Sequence, residues 1–258
     1  MQTVAVLFGV VIAFTGCAIG WTIARERRRR NRMSQAAVGL GLRPVADPEQ
    51  WLRRTGLSQL PLFALAELGA WVRVSNVFEG ELGGTPVAVC DYTRATGTGS
   101  RRVEVHETAT CLPVEAGRLP EFVLEPERPG VSRAGLSRVL GVFGAATWLE
   151  PASYRQAIGA LRATLDDPGV PFDDDPAFAQ RYRLLSPDPE RATRAFGPAV
   201  RRLLREAEAG ALAVQSRGRW LVVSRPNRLI SPERIRACLD EAVGVQRLLL
   251  QGVGTGAN

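Results

Sequence analysis

The 258-residue chain contains no lysine: all 33 of its Lys and Arg positions are arginine. That absence excludes the phosphate-loop lysine, the kinase lysine and Schiff-base chemistry, each of which needs a primary amine. Histidine is scarce too, with His106 alone, in the stretch RRVEVHETATC. A period of two sets His106 beside Glu104 and Thr108, which reads as a solvated strand histidine. A Ser-His-Asp or Cys-His arrangement built on it would need partners from far along the chain. Four cysteines, Cys17, Cys90, Cys111 and Cys238, lack the spacing of a zinc site, and the last three are expected to be free thiols. The glycine-rich GTGS at Gly97 to Ser100 is followed by no helical pattern, so it reads as a hairpin loop and not as a phosphate cradle. No catalytic set, cofactor site or metal-ligand set is identified.

What the chain does have begins with an apolar run. From Val4 to Ala24 there is no charge, and about twenty residues at 1.5 Å each span a hydrocarbon core of roughly 30 Å. The expectation is an uncleaved transmembrane helix over 1–24, since a secretory signal would carry its basic residues before the apolar ones. Directly after it come Arg25, Arg27, Arg28, Arg29, Arg30 and Arg32, in a basic juxtamembrane segment over 25–35. Arginine clusters stay on the cytoplasmic side, which predicts a single-pass protein of the inner membrane with its N-terminus outside and its C-terminal domain in the cytoplasm. The same six arginines are the candidate membrane-surface contacts, drawn to anionic lipid headgroups. With Glu26 among them they contribute five of the seven net positive charges, so the remaining body is nearly neutral and no nucleic-acid footprint is indicated.

The expected cytosolic domain covers 36–251, with candidate lobes at 36–145 and 170–251 and a disordered tail over 252–258. Short helices broken at Pro44, Pro48 and Pro61 lead into WVRVSNVFEGEL and TPVAVCDYT, an antiparallel hairpin about Gly83 and Gly84. RRVEVHETATCL reads as a third strand and EFVLEPE as an edge-like fourth. The chain then reads as helical around Leu136 to Phe143, and again from RYRLL. Further on, Phe196, Val200, Leu203, Leu204 and Ala207 share one helical face after a restart at Gly197-Pro198. ALAVQSRGRWLVVSR is a second hairpin about Arg217 and Gly218. SPERIRACLDEAVGVQRLLLQ opens with Ser231 as cap and buries Ile235, Leu239, Ala242 and Leu249. The predicted fold class is α+β: a transmembrane helix followed by mostly antiparallel strands with packed helices.

The order of apolar span, arginine cluster, NVFEGELGGTPVAVCDY, FVLEPE, FDDDPAFAQRYRL and a closing WLVV with a proline-started helix resembles a family of uncharacterised, membrane-anchored bacterial proteins. The resemblance implies a shared fold and anchor and carries no assigned activity. The acidic triplet Asp173, Asp174 and Asp175 has two readings: a divalent-cation site, or a helix start in which Asp175 caps and Pro176 fills the first turn. The local chemistry favours the cap. Function is therefore read as membrane-tethered binding or scaffolding, its partners the lipid bilayer and another membrane or cytosolic protein. The alternatives are a lipid-surface sensor and a small metal-assisted hydrolase.

Overall fold

A computed structural model describes residues 20–21, 24–60, 71–96, 103–127, 169–207 and 211–254. Helix α1 covers residues 24–39. Strand β1 (Arg43–Pro44), helix α2 (Pro48–Thr55) and a 3-10 turn at Leu57–Gln59 follow. The long strands β2 (Trp71–Leu82), β3 (Thr85–Thr96) and β4 (Val103–Pro113) form the meander expected from their alternation. Strand β5 (Phe122–Pro126), helix α3 (Pro176–Arg181), strand β6 (Tyr182–Leu185) and helices α4 (Pro189–Ala195) and α5 (Pro198–Glu206) come next. The hairpin of β7 (Ala213–Arg217) and β8 (Trp220–Ser224) leads to helix α6 (Ile235–Gly254).

The eight strands of the described residues lie in one sheet of order β1-β2-β3-β4-β8-β7-β5-β6. Each adjacent pair is antiparallel. The pairing of β4 with β8 joins the strands of the two candidate lobes. Strand β5 is not an edge, because it pairs with β6 on one side and β7 on the other. Tyr182–Leu185 is itself the edge strand rather than a helix, its burial alternating between buried and half-buried.

Alternation along the strands sorts side chains to two apolar faces. Val87, Val89, Leu112, Leu221 and Val223 face a core completed by Met33 and Ala37 of α1, Phe196 after α4, Val200 and Leu204 of α5, and Leu239 and Leu249 of α6. Ala88, Cys90, Tyr92, Cys111 and Val222 point the other way, against Trp51, Leu57 and Leu60. A bulge between Ser75 and Phe78 resets the alternation in β2, so that Val74 and Val77 reach the same face. At the bulge Asn76 takes a left-handed φ of 49°. Helix α6 runs on through Gly252 into the segment read as tail. A Cβ on Gly252 would stand 2.7 Å from the Arg194 carbonyl oxygen, so only glycine lets α6 lie so close to α4.

The expected fold class needs one correction. Among the described residues no helix is long and apolar enough to cross a membrane. The α+β content and the antiparallel pairing are present, but none of the described helices is a transmembrane one, and the single-pass reading loses its support. Most of the run from Val4 to Ala24 lies outside the described residues, as do Leu136 to Phe143, Gly97 to Ser100 and Pro61. The arginine segment also proves to be part of the folded body, since residues 24–39 form one helix whose far end packs into the core.

What seats that helix is Arg29. Its guanidinium meets both carboxylate oxygens of Asp91 on β3, Nη1 at 2.5 Å and Nη2 at 3.1 Å. Asp91 is 3% exposed and also accepts from Asn76 Nδ2 and Thr108 Oγ1, each at 2.7 Å. Burial opposes the charge on Arg29, but the Asp91 contacts outweigh it and hold the guanidinium pKa above its usual value. Breaking a buried ion pair costs about 3–5 kcal/mol. Arg29→Ala is expected near the low end of that range, because Asp91 keeps two donors. Urea denaturation of the full chain checks this: a loss no greater than that of Arg30→Ala would remove Arg29 from the set of structural contacts.

Candidate functional site

A groove of about 560 Å³ opens between α5, the connection over 225–231 and the first turns of α6. On α5 it is lined by Ala199, Arg202, Leu203 and Glu206, at spacings of three, four and seven. Arg234, which ends the 3-10 turn just before α6, and Ala237, Cys238 and Glu241 on the first turns of α6 repeat those spacings. Residues so spaced on a helix share one face, so α5 and the start of α6 each bring a glutamate and two small or apolar side chains to the same space, with an arginine beside them. The connection adds Arg225, Arg228, Leu229 and Ile230.

The groove wall is tied to the Asp91 cluster. Thr108 donates its backbone N–H to the Arg228 carbonyl at 3.0 Å, and its hydroxyl oxygen accepts from the Ile230 N–H at 3.1 Å. The Ile230 carbonyl in turn accepts from Arg29 Nη2 at 3.3 Å. Arg225, 6% exposed, pairs with Glu241, and both line the groove. Arg202, Arg228 and Arg234 stand exposed around the rim, with Glu206 as the acidic group among them. The rim is net positive and the walls apolar.

Cys238 sits in this groove, half-buried, its Sγ 3.7 Å from Thr110 Oγ1. Burial pushes its thiol pKa up, which opposes a role as nucleophile. Cys90 and Cys111 are fully buried in the sheet. Hydrogen bonding to Cys111, then burial, drives the Cys90 thiol well above its usual range. All three are free thiols, as expected.

The sequence candidates are placed as follows. Arg25, Arg27, Arg28, Arg30 and Arg32 are exposed on α1, whereas Arg29 is turned inward to Asp91 and is not offered to a surface. His106 is an exposed strand residue, its Nδ1 3.0 Å from Thr93 Oγ1 and its Nε2 3.7 Å from Glu104. Asp175 caps α3, accepting from the Phe178 N–H at 3.1 Å, with Pro176 in the first turn. Buried Arg201 holds Asp174 in a fork at 2.8 and 2.6 Å, and Arg205 Nη1 lies 2.6 Å from Asp175 Oδ1. The hydrogen bond from Arg201 keeps the Asp174 carboxyl below its ordinary pKa. Two of the three carboxylates are thus occupied by arginines, which is unlike a cation site; among the described residues no group of acidic, cysteine and histidine side chains is placed to hold a metal ion. Ser231 makes no capping hydrogen bond to the following backbone and precedes a 3-10 turn instead.

Sequence reasoning missed the groove and Asp91. A signal existed for both: the paired spacings on two helices, and a carboxylate within the apolar strand VAVCDYT.

No family model matches the chain, and no curated protein matches it. A solved structure does: the mycobacterial trehalose monomycolate transport factor A, TtfA, is 16% identical with a TM-score of 0.50, over 88% of this chain and 95% of that one. At that identity the likeness is one of fold.

Two measurements follow. Asp175→Ala and Asp175→Asn both lose the charge facing Arg205, but Asp175→Ala should cost about 1 kcal/mol more, because asparagine still caps; equal losses in denaturation would contradict the capping role. In the folded chain a thiol reagent should alkylate Cys238 and spare Cys90 and Cys111. Its rate should climb with pH only above the range of an ordinary thiol, since a raised pKa leaves less thiolate at any given pH. Mass spectrometry of the alkylated peptides checks both points.

Proposed function

We propose that the chain is a binding or scaffolding module that holds a small ligand in the groove between α5 and α6. The observation that carries this reading is the groove itself: apolar walls from two helices, a net positive rim, and a wall braced by hydrogen bonds to the Asp91 cluster. Its volume lies within the roughly 300–1,000 Å³ of small-molecule sites. A stable protein interface needs about 800 Å² from each partner, which fits a groove of this size less well. The likeness to a protein named for trehalose monomycolate transport supports a setting in which lipids are handled. The five exposed arginines of α1 support a second contact, with the anionic cytoplasmic surface of a membrane at about 1 kcal/mol each.

Small molecules extracted from the purified full chain, compared with those from Ala237→Trp, test the binding site. Ala237 is exposed and lines the groove, so the indole fills the space without opening the core. A molecule present in the parent and absent from the variant is expected. The same extract from both proteins, or none from either, would count against the groove as the place where this protein works.

A further inference from the structure

The geometry points to a single-chain anionic amphiphile as the groove's ligand, its carboxylate or phosphate head held by the rim arginines and its chain laid along the walls. This rests on the reading of the groove as the binding site and assigns the chemistry of what it binds. Charge argues for the anionic head. Four arginines and two glutamates line the groove, and one of the glutamates, Glu241, is already paired with Arg225. Arg202 on α5 and Arg234 just before α6 bring exposed guanidinium groups to the same groove from two separate segments. A guanidinium fork matches a carboxylate or a phosphate through two parallel hydrogen bonds.

Wall chemistry argues for the chain. Leu203, Leu229 and Ile230 with Ala199, Ala207 and Ala237 supply apolar surface. Each methylene moved onto such surface from water is stabilised by about 0.8 kcal/mol. A free inorganic anion would leave those walls in water, and a neutral amphiphile would offer no negative charge to Arg202 and Arg234, so the head and the chain both contribute. An acidic peptide fits less well, because its backbone N–H groups need acceptors that aliphatic walls lack.

Cys238 reports on occupancy from inside the groove. In a full-length chain carrying Cys17→Ser, the two remaining body cysteines are buried, so alkylation reads Cys238. Dodecanoate and dodecyl phosphate, below their micellar concentrations, are expected to slow that alkylation at least tenfold. Inorganic phosphate, dodecyl maltoside and dodecyltrimethylammonium should leave it within twofold. The pair Arg202→Glu and Arg234→Glu should weaken dodecanoate protection at least tenfold, with circular dichroism confirming that the variant is folded. The inference is overturned if dodecyl maltoside protects as well as dodecanoate, if inorganic phosphate or a polyglutamate peptide protects instead, or if the charge reversals leave protection intact. Should the anionic probes fail while Ala237→Trp still loses a bound molecule, the ligand is not an anionic amphiphile but the groove remains the binding site. Failure of both experiments removes the groove itself.

Discussion

A carboxylate buried in the middle of an antiparallel sheet has to be neutralised, and the organisation of this protein follows from how Asp91 achieves it. Removing a charge from water costs several kcal/mol unless partners replace the lost hydration. Three side chains from three parts of the chain do so here: Arg29 from α1, Asn76 from the bulge of β2, and Thr108 directly opposite on β4. Each also shapes its surroundings. Arg29 fixes where α1 lies, Asn76 sits at the bulge that resets the face of β2, and Thr108 holds the connection over 225–231 by its backbone and its hydroxyl. The wall of the groove is therefore set by the same network that seats the N-terminal helix.

Guanidinium groups serve as structural cations elsewhere as well. Arg201 and Arg205 draw the acidic turn before α3 onto α5, and Arg225 draws α6 toward the end of β8. A planar fork with fixed donors suits these partly buried pairs better than a flexible ammonium, which gives a lysine-free composition a physical use whatever its origin. Arg201 adds a further contact by lying over the Phe172 ring, 5.4 Å from its centroid. Among the exposed arginines, one set lies along α1 and another lines the groove.

Local patterns in the chain were good guides wherever backbone chemistry is local. Alternation and tight turns marked both hairpins, and proline after aspartate marked the start of α3. RYRLL misled because a short apolar run satisfies a buried strand and a helical turn equally well. Only the neighbouring β5, far back in sequence, selects the strand. The edge-like look of β5 failed for the same reason, since its second neighbour, β7, lies some ninety residues further on. Arg29 could not be told from the arginines around it, because what distinguishes it is a partner sixty-two residues away.

The exclusion of lysine-dependent chemistry, the antiparallel character of the strands and the helical faces that enter the core were all legible along the chain. These depend on residue identity and on periods of two and 3.6, which are properties of neighbouring residues. Tertiary structure decided the joining of all strands into one sheet, the inward turn of a single arginine from a basic cluster, and the meeting of two helical faces with a loop to make a groove. Those depend on which distant segments become neighbours, and a buried charge is tolerated only where a partner from another segment arrives to meet it.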